Sequence, residues 1–172
     1  MEVSPEDEFR DFVAGRAHAL LRAAYALTGD RHAAEDLVQS ALAKAFARWR
    51  RISEPEPYVR KMIYHEFVSS WRVQQRRGEF VVAQLPDRGD GTQLEADTAL
   101  RLRLRDALLL LPPRQRAVLV LRYFEDLTVA QTAAVLSCRA GTVASQASRA
   151  LVKLRELVPD LNWSASFTGG RR

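Results

Sequence analysis

Apolar residues recur at three- and four-residue steps through most of this chain, a spacing that predicts helices without strands. Phe9, Val13, Ala17, Leu20, Leu21, Ala24 and Leu27 form one such stripe. With Ser4 as N-cap and Pro5 in the first turn, they predict a helix from about Glu6 to Leu27. Thr28-Gly29-Asp30 breaks the pattern, and Asp30 can cap a second helix. Its buried face would be Ala34, Leu37, Val38, Ala41, Leu42, Ala45, Phe46 and Trp49, carrying it to about Arg51. Pro55 and Pro57 end that helix, and a third is expected from Tyr58 to Arg77. These three make a helical bundle.

Pro86, Gly89 and Gly91 lie in an aperiodic polar stretch that reads as a flexible linker, assigned to residues 79–99 between a first domain at 1–78 and a second at 100–158. A helical register starts again near Leu94, with Leu100, Leu104, Leu108 and Leu111 in step, until Pro112-Pro113 stops it. A helix from about Arg114 to Tyr123 follows. Thr128 and Gln131 then stand at capping-box spacing for a short helix to Leu136, before a last helix from Ala140 to Leu157. Residues 159–172, with Trp163 and Phe167 among Ser, Thr and Gly, are expected to fray. The fold class is therefore all-α, two small helical domains: a three-helix bundle and a four-helix domain.

Charge sharpens this division. Residues 1–43 hold four basic and eight acidic residues, whereas 44–78 hold nine and three. The linker is acidic, with one basic and five acidic residues, and from Leu100 onward twelve basic residues face five acidic ones. The net charge of +5 over 172 residues suits a polyanionic partner, since clustered Lys and Arg release counterions on meeting phosphates. Cys138 is the single cysteine, which excludes an intramolecular disulfide, and His18, His32 and His65 have no metal-ligand spacing. Neither a signal peptide nor a membrane-spanning stretch is expected. A cytoplasmic location follows, with no cofactor, no metal and no catalytic residue.

The segment from Thr128 to Leu157 has the arrangement of a helix-turn-helix. Ala140, Val143, Ala147, Ala150, Leu151 and Leu154 would face inward, with Val143 plugging the space between the helices. Helical spacing then projects Thr142, Ser145, Gln146, Arg149 and Lys153 outward. Gln can read adenine and Arg guanine, while Ser, Thr and Lys can hold phosphates. The bland alternative is a helical hairpin with a solvated polar face. In a second segment, Trp49, Tyr58, Tyr64, His65, Phe67 and Trp71 alternate with Arg50, Arg51, Arg60, Lys61, Arg72, Arg76 and Arg77. Such a mixture can trap unpaired bases on aromatic faces while cations follow the backbone. Taken singly, each aromatic is more often core than a stacking platform.

Several motifs resemble one family. Ala34-Glu35-Asp36-Leu37-Val38-Gln39 looks like the acidic motif of a sigma-2 domain, and Tyr58-Val59-Arg60-Lys61-Met62-Ile63 like the start of its promoter-melting helix. Leu111-Pro112-Pro113-Arg114-Gln115-Arg116 to Leu121-Arg122-Tyr123-Phe124 is similar to the opening of sigma-4. Gly141-Thr142-Val143, Ser145, Arg149-Ala150 and Leu154-Arg155 match its recognition helix. The chain thus resembles an extracytoplasmic-function sigma factor of the sigma-70 family over about residues 7 to 158.

The resemblance implies that Glu35, Asp36 and Gln39 bind core RNA polymerase at the clamp helices of its largest subunit, and that sigma-4 binds its flap. It implies that Arg60, Lys61, Tyr64, His65, Trp71 and Arg72 hold the melted minus-10 strand. Arg139, Thr142, Ser145, Gln146, Arg149 and Lys153 would hold minus-35 duplex. Such a chain would be a monomer when free, with promoter DNA and polymerase as partners and room for an anti-sigma factor. There are departures from the family pattern. His65 stands where Asn is common, Ser69 where Asp is frequent, Ser137 for the turn glycine and Arg139 for the Ser or Thr cap, while Ala144 and Gln146 replace residues that are often basic. A conventional helix-turn-helix regulator would bind as a dimer and leave Glu35-Asp36 unexplained. A nuclease would need clustered metal ligands.

Overall fold

Ser4 opens the first helix as its sequence requires. Its hydroxyl accepts from the Asp7 N–H at 3.2 Å, Pro5 follows, and Glu6, Asp7 and Glu8 set negative charge against the helix N-terminus. In the computed structural model, which describes residues 3–77 and 95–161, this helix, α1, spans Pro5–Thr28. It ends at Gly29, whose φ of 69° is left-handed and whose N–H donates to the Tyr25 carbonyl at 2.8 Å. Asp30 then caps α2, Arg31–Phe46, by accepting from the Ala33 N–H at 2.8 Å.

Helix α2 stops five residues earlier than its periodicity suggests, and Trp49–Arg51 forms a separate 3₁₀ turn. The turn swings Trp49 onto Phe9 and Phe12, at ring-centroid distances of 5.0 and 5.3 Å. Trp49 is buried by either route, so the apolar pattern could not reveal the break. Phe46, expected on the buried face, is 48% exposed and lies tilted against Phe9, with ring centroids 4.9 Å apart. Helix α3, Pro55–Arg76, completes the bundle, with Val59, Ile63 and Phe67 turned into it at four-residue steps.

The second unit comprises α4, Glu95–Leu109, α5, Pro113–Leu119, α6, Val129–Leu136, and α7, Ala140–Leu157. Helix α4 starts inside the stretch expected as linker, so residues 95–99 are helical. The rest of that linker lies outside the described residues. Helix α5 runs on as a π turn, Val120–Phe124, in which the Glu125 N–H donates to the Val120 carbonyl at 2.9 Å. Ala117 to Leu121 are all buried, so the local sequence carries no amphipathic signal for this change of winding. Leu161 is also buried, beside Val158 and Leu154, so the tail packs at least this far. Trp163 and Phe167 lie outside the described residues. Among the described residues there is no strand, and no helix is long and apolar enough to cross a membrane.

The two units share a core. Val59, Ile63, Tyr64 and Phe67 of α3 cluster with Ala117, Val120 and Leu121 and with Val135 of α6. Small helical units bury little surface alone, and fully burying one such side chain contributes about 1.5–3 kcal/mol. Gly29 lets them approach: a Cβ there would sit 2.6 Å from Leu109 Cδ1. The last turn of α1 has no basic residue of its own. Arginines of the second unit supply that charge. Arg105 donates to the Gly29 carbonyl at 2.7 Å, stacked over Tyr25 at 4.4 Å, and Arg116 donates to the Leu27 carbonyl at 2.7 Å.

Candidate nucleic-acid interface

The helix-turn-helix is built by local hydrogen bonds that its sequence dictates. Thr128 Oγ1 accepts from the Gln131 N–H at 3.1 Å, and the Gln131 side chain accepts from the Thr128 N–H at 2.9 Å, closing the capping box of α6. Ser137 takes the left-handed position of the turn at φ 52°, a conformation that favours glycine. Arg139 stands at the N-cap of α7 without a side-chain cap bond. Val143 is fully buried against Val118 and Ala133, which fixes the angle between α6 and α7. Ala140, expected inward, is exposed at the start of α7.

That core turns Arg139, Ser145, Arg149 and Lys153 to solvent, with Thr142 and Gln146 half-buried. Arg139, Arg149 and Lys153 have no ion-pair partner among the described residues. Ser145 Oγ donates back to the Thr142 carbonyl at 3.1 Å. The result is a cationic face with hydroxyl and amide groups at base-edge height, able to enter a major groove.

The aromatic and basic helix is arranged differently. Lys61 and Arg72 are exposed and Trp71 is half-buried on α3. Tyr64, expected to stand ready for base stacking, is fully buried against the second unit. Burial, then the neighbouring Glu125 carboxylate, hold its phenol well above the usual range. His65 Nε2–H donates to the Val135 carbonyl of α6 at 2.8 Å and lies 3.4 Å from Ser137 Oγ. Arg60 Nε pairs with Glu125 Oε2 at 2.8 Å and its Nη2 reaches Glu56 at 3.4 Å. Burial raises the Glu125 carboxyl above its ordinary value, with Arg60 acting against that rise. Both candidate faces line one cavity of about 230 Å³: Tyr64, His65 and Arg72 from α3, Arg114 from α5, and Thr142 and Gln146 from α7.

On α2, Asp36 and Gln39 are exposed and Asp36 has no ion pair among the described residues, whereas Glu35 is half-buried and bound to Arg31 at 2.9 Å. The sequence reading missed Arg105, Arg114, Arg116 and Glu125. Arg116 carried a signal: a charged residue inside an otherwise buried run needs several partners. It finds them in the carbonyls of Leu27, Leu108, Leu109 and Leu111. Among the described residues no three His, Cys, Asp or Glu gather closely enough to hold a metal ion.

Comparison with known proteins assigns these units. Residues 12–77 match Sigma-70 region 2 and residues 101–154 match Sigma-70, region 4. The chain is 40% identical over 154 residues to the RNA polymerase sigma-E factor of Streptomyces coelicolor, covering 87% of this chain and 85% of that protein. Its structure is similar to that of the sigma factor RpoE from Bartonella quintana, solved with the anti-sigma factor NepR. The TM-score is 0.68 at 26% identity, over 88% of this chain and 97% of the other. CnrH, solved with the cytosolic domain of CnrY, has the same fold, with a TM-score of 0.63 at 20% identity over 90% of each chain.

Proposed function

The chain belongs to the sigma-70 family of RNA polymerase sigma factors, and from that premise we propose how its own residues divide the work. Asp36 and Gln39, with Glu35 behind them, meet a basic surface of the polymerase largest subunit. Lys61, Trp71 and Arg72 hold the opened minus-10 strand, joined by Arg60, Tyr64 and His65 once the second unit moves off them. Arg139, Thr142, Ser145, Gln146, Arg149 and Lys153 read and grip minus-35 duplex. The chain acts by binding rather than by catalysis, in the cytoplasm, and an anti-sigma factor is among its partners. That last reading draws on the relatives solved with such proteins.

The observation that carries this division is the cationic face of α7, without ion pairs among the described residues and carried on a different helix from the aromatic and basic face of α3. Two weak DNA contacts on one chain reinforce each other, because binding of the first raises the local concentration of the second. Transcription in vitro with core polymerase on a genomic promoter library tests it. Start sites sharing two elements at fixed spacing are expected. Initiation that depends on the minus-35 element alone would remove the role given to α3. A dimeric operator-binding regulator is not favoured, since the chain matches both sigma regions in order.

A further inference from the structure

The cavity of about 230 Å³ between α3 and the helix-turn-helix is one-sided in charge. Arg72 of α3 and Arg114 of α5 line it, and among the described residues no aspartate or glutamate does. The acids on or packed against α3, Glu56, Glu66 and Glu125, pair instead with Arg16, Lys44 and Arg60. Arg72 and Arg114 are exposed, and neither has an ion-pair partner among the described residues. Two guanidiniums on one concave space, with no carboxylate to answer them, focus positive potential there.

The lining also changes character with depth. Val118 and Val143 are buried and Val68 and Leu136 half-buried, so the inner wall is apolar. Arg72, Arg114 and Ser69 are exposed and form the rim. Between the two levels, Thr142 and Gln146 are half-buried and offer a hydroxyl and an amide. An apolar interior with a few polar groups that fix orientation is how small-molecule sites are built. The volume is that of roughly seven or eight liquid waters, which suits a compact molecule rather than a length of polymer.

We propose that this cleft binds a small phosphate monoester with an apolar body, its phosphate held by Arg72 and Arg114 and its body set against the valines and Leu136. Charge decides between the anions that a guanidinium accepts. A phosphate ester carries about −1.5 to −2 charge near pH 7, against one on a carboxylate, and its oxygens can accept from two guanidinium forks at once. Arg72, Thr142 and Gln146 are also given to promoter DNA above, so a nucleic-acid phosphate is the competing occupant. The ester site stands independently of those DNA roles.

Cys138 makes occupancy measurable in the full chain, since it lines the cleft and is the sole cysteine. Its reaction with N-ethylmaleimide, followed by the mass of the intact chain, is read with phenyl phosphate as the probe. Inorganic phosphate, phenol and a single-stranded oligothymidylate are the comparisons. Phenyl phosphate should slow labelling saturably, at concentrations on the order of tenfold below those inorganic phosphate needs, because burying the ring adds to the charge contact. Phenol over the same range should leave the rate unchanged.

Arg114→Gln and Arg72→Gln should each weaken this protection on the order of tenfold, the worth of a charge-assisted hydrogen bond. Arg10→Gln, on α1, should not. Phenyl phosphate should also raise the thermal midpoint of the native chain, as any ligand of the folded form does, and raise it less in R114Q. Circular dichroism of the two cleft variants without ligand should match the native chain. Labelling that phenyl phosphate leaves unchanged overturns the site. So does protection that persists in both R72Q and R114Q, which would be an effect of ionic strength. Protection by the oligonucleotide alone, at matched phosphate concentration, makes the cleft a DNA surface and overturns the ester site as well.

Discussion

Arg116 of α5 donates from Nη1 to the carbonyl of Leu27, 2.7 Å away and 89 positions earlier in the chain. The same guanidinium holds Leu108, Leu109 and Leu111 at 2.8–3.0 Å and lies over the Phe67 ring at 5.6 Å. Burial lowers its pKa to about 10, which leaves it charged at neutral pH. One side chain therefore closes the turn between α4 and α5 and fastens it to the end of α1.

Arg116→Met keeps much of the volume but strands these carbonyls. Each buried acceptor left unpaired costs about 1–3 kcal/mol, so a loss of roughly 3–5 kcal/mol is expected, as for breaking other buried charged contacts. Urea unfolding measures it. Arg116→Lys should recover only part, since an ammonium has three donors and no planar fork. A loss below about 1 kcal/mol for the Met variant would mean that water replaces the guanidinium.

Asp36→Arg tests the polymerase-facing edge proposed for α2. Asp36 is exposed and without an ion pair among the described residues, so reversing its charge should leave helicity by circular dichroism unchanged while co-purification with core polymerase falls. Glu35→Arg is the harsher change for the helix itself, because Glu35 already answers Arg31 at 2.9 Å. An i,i+4 pair of this kind contributes about 0.3–0.5 kcal/mol. Unchanged polymerase retention in Asp36→Arg would move the docking face elsewhere on the bundle.

Helix order, the caps at Ser4, Asp30 and Thr128 and the exposure of Ser145, Arg149 and Lys153 on α7 were legible in the sequence because each depends on neighbours within a turn. The packing of one unit on the other was not. It depends on Arg116 reaching Leu27 and on Glu125 reaching Arg60, contacts between residues far apart in the chain. Tyr64 shows the difference most plainly. Helical spacing sets it beside the inward stripe of Val59, Ile63 and Phe67, where an exposed stacking ring and a second buried face look alike. The break after Phe46 stayed hidden for a related reason: Trp49 points inward in a straight helix and in a 3₁₀ turn.

In the proposed minus-35 face, Arg149 is given to reading and Lys153 to gripping. A bidentate base contact contributes about 1–3 kcal/mol of discrimination, whereas removing a phosphate contact weakens all sequences alike. Arg149→Ala should relax preference at one minus-35 position. Lys153→Ala should lower affinity generally and reduce the salt slope by about one. Titrations of variant promoters at two salt concentrations distinguish them. Equal, sequence-independent losses in both variants would make Arg149 a backbone contact.

Arg139 is the sharpest local test, because it stands at the N-cap of α7 without a side-chain acceptor for the helix's free N–H groups. The Thr142 and Val143 N–H groups reach back only to the Arg139 carbonyl, at 2.9 and 3.2 Å. Serine there would offer a side-chain oxygen to the first turn, and a good N-cap contributes about 0.5–2 kcal/mol over a residue that cannot cap. Arg139→Ser should therefore raise the thermal midpoint of the chain. The exposed guanidinium has no ion-pair partner among the described residues, and a DNA phosphate is the partner proposed for it. Its loss should weaken minus-35 binding for every sequence and flatten the salt dependence. Higher stability with weaker binding would show that this position gives up a cap for a backbone contact. A serine variant that is neither more stable nor weaker on DNA would show that Arg139 is neither a poor cap nor a backbone anchor.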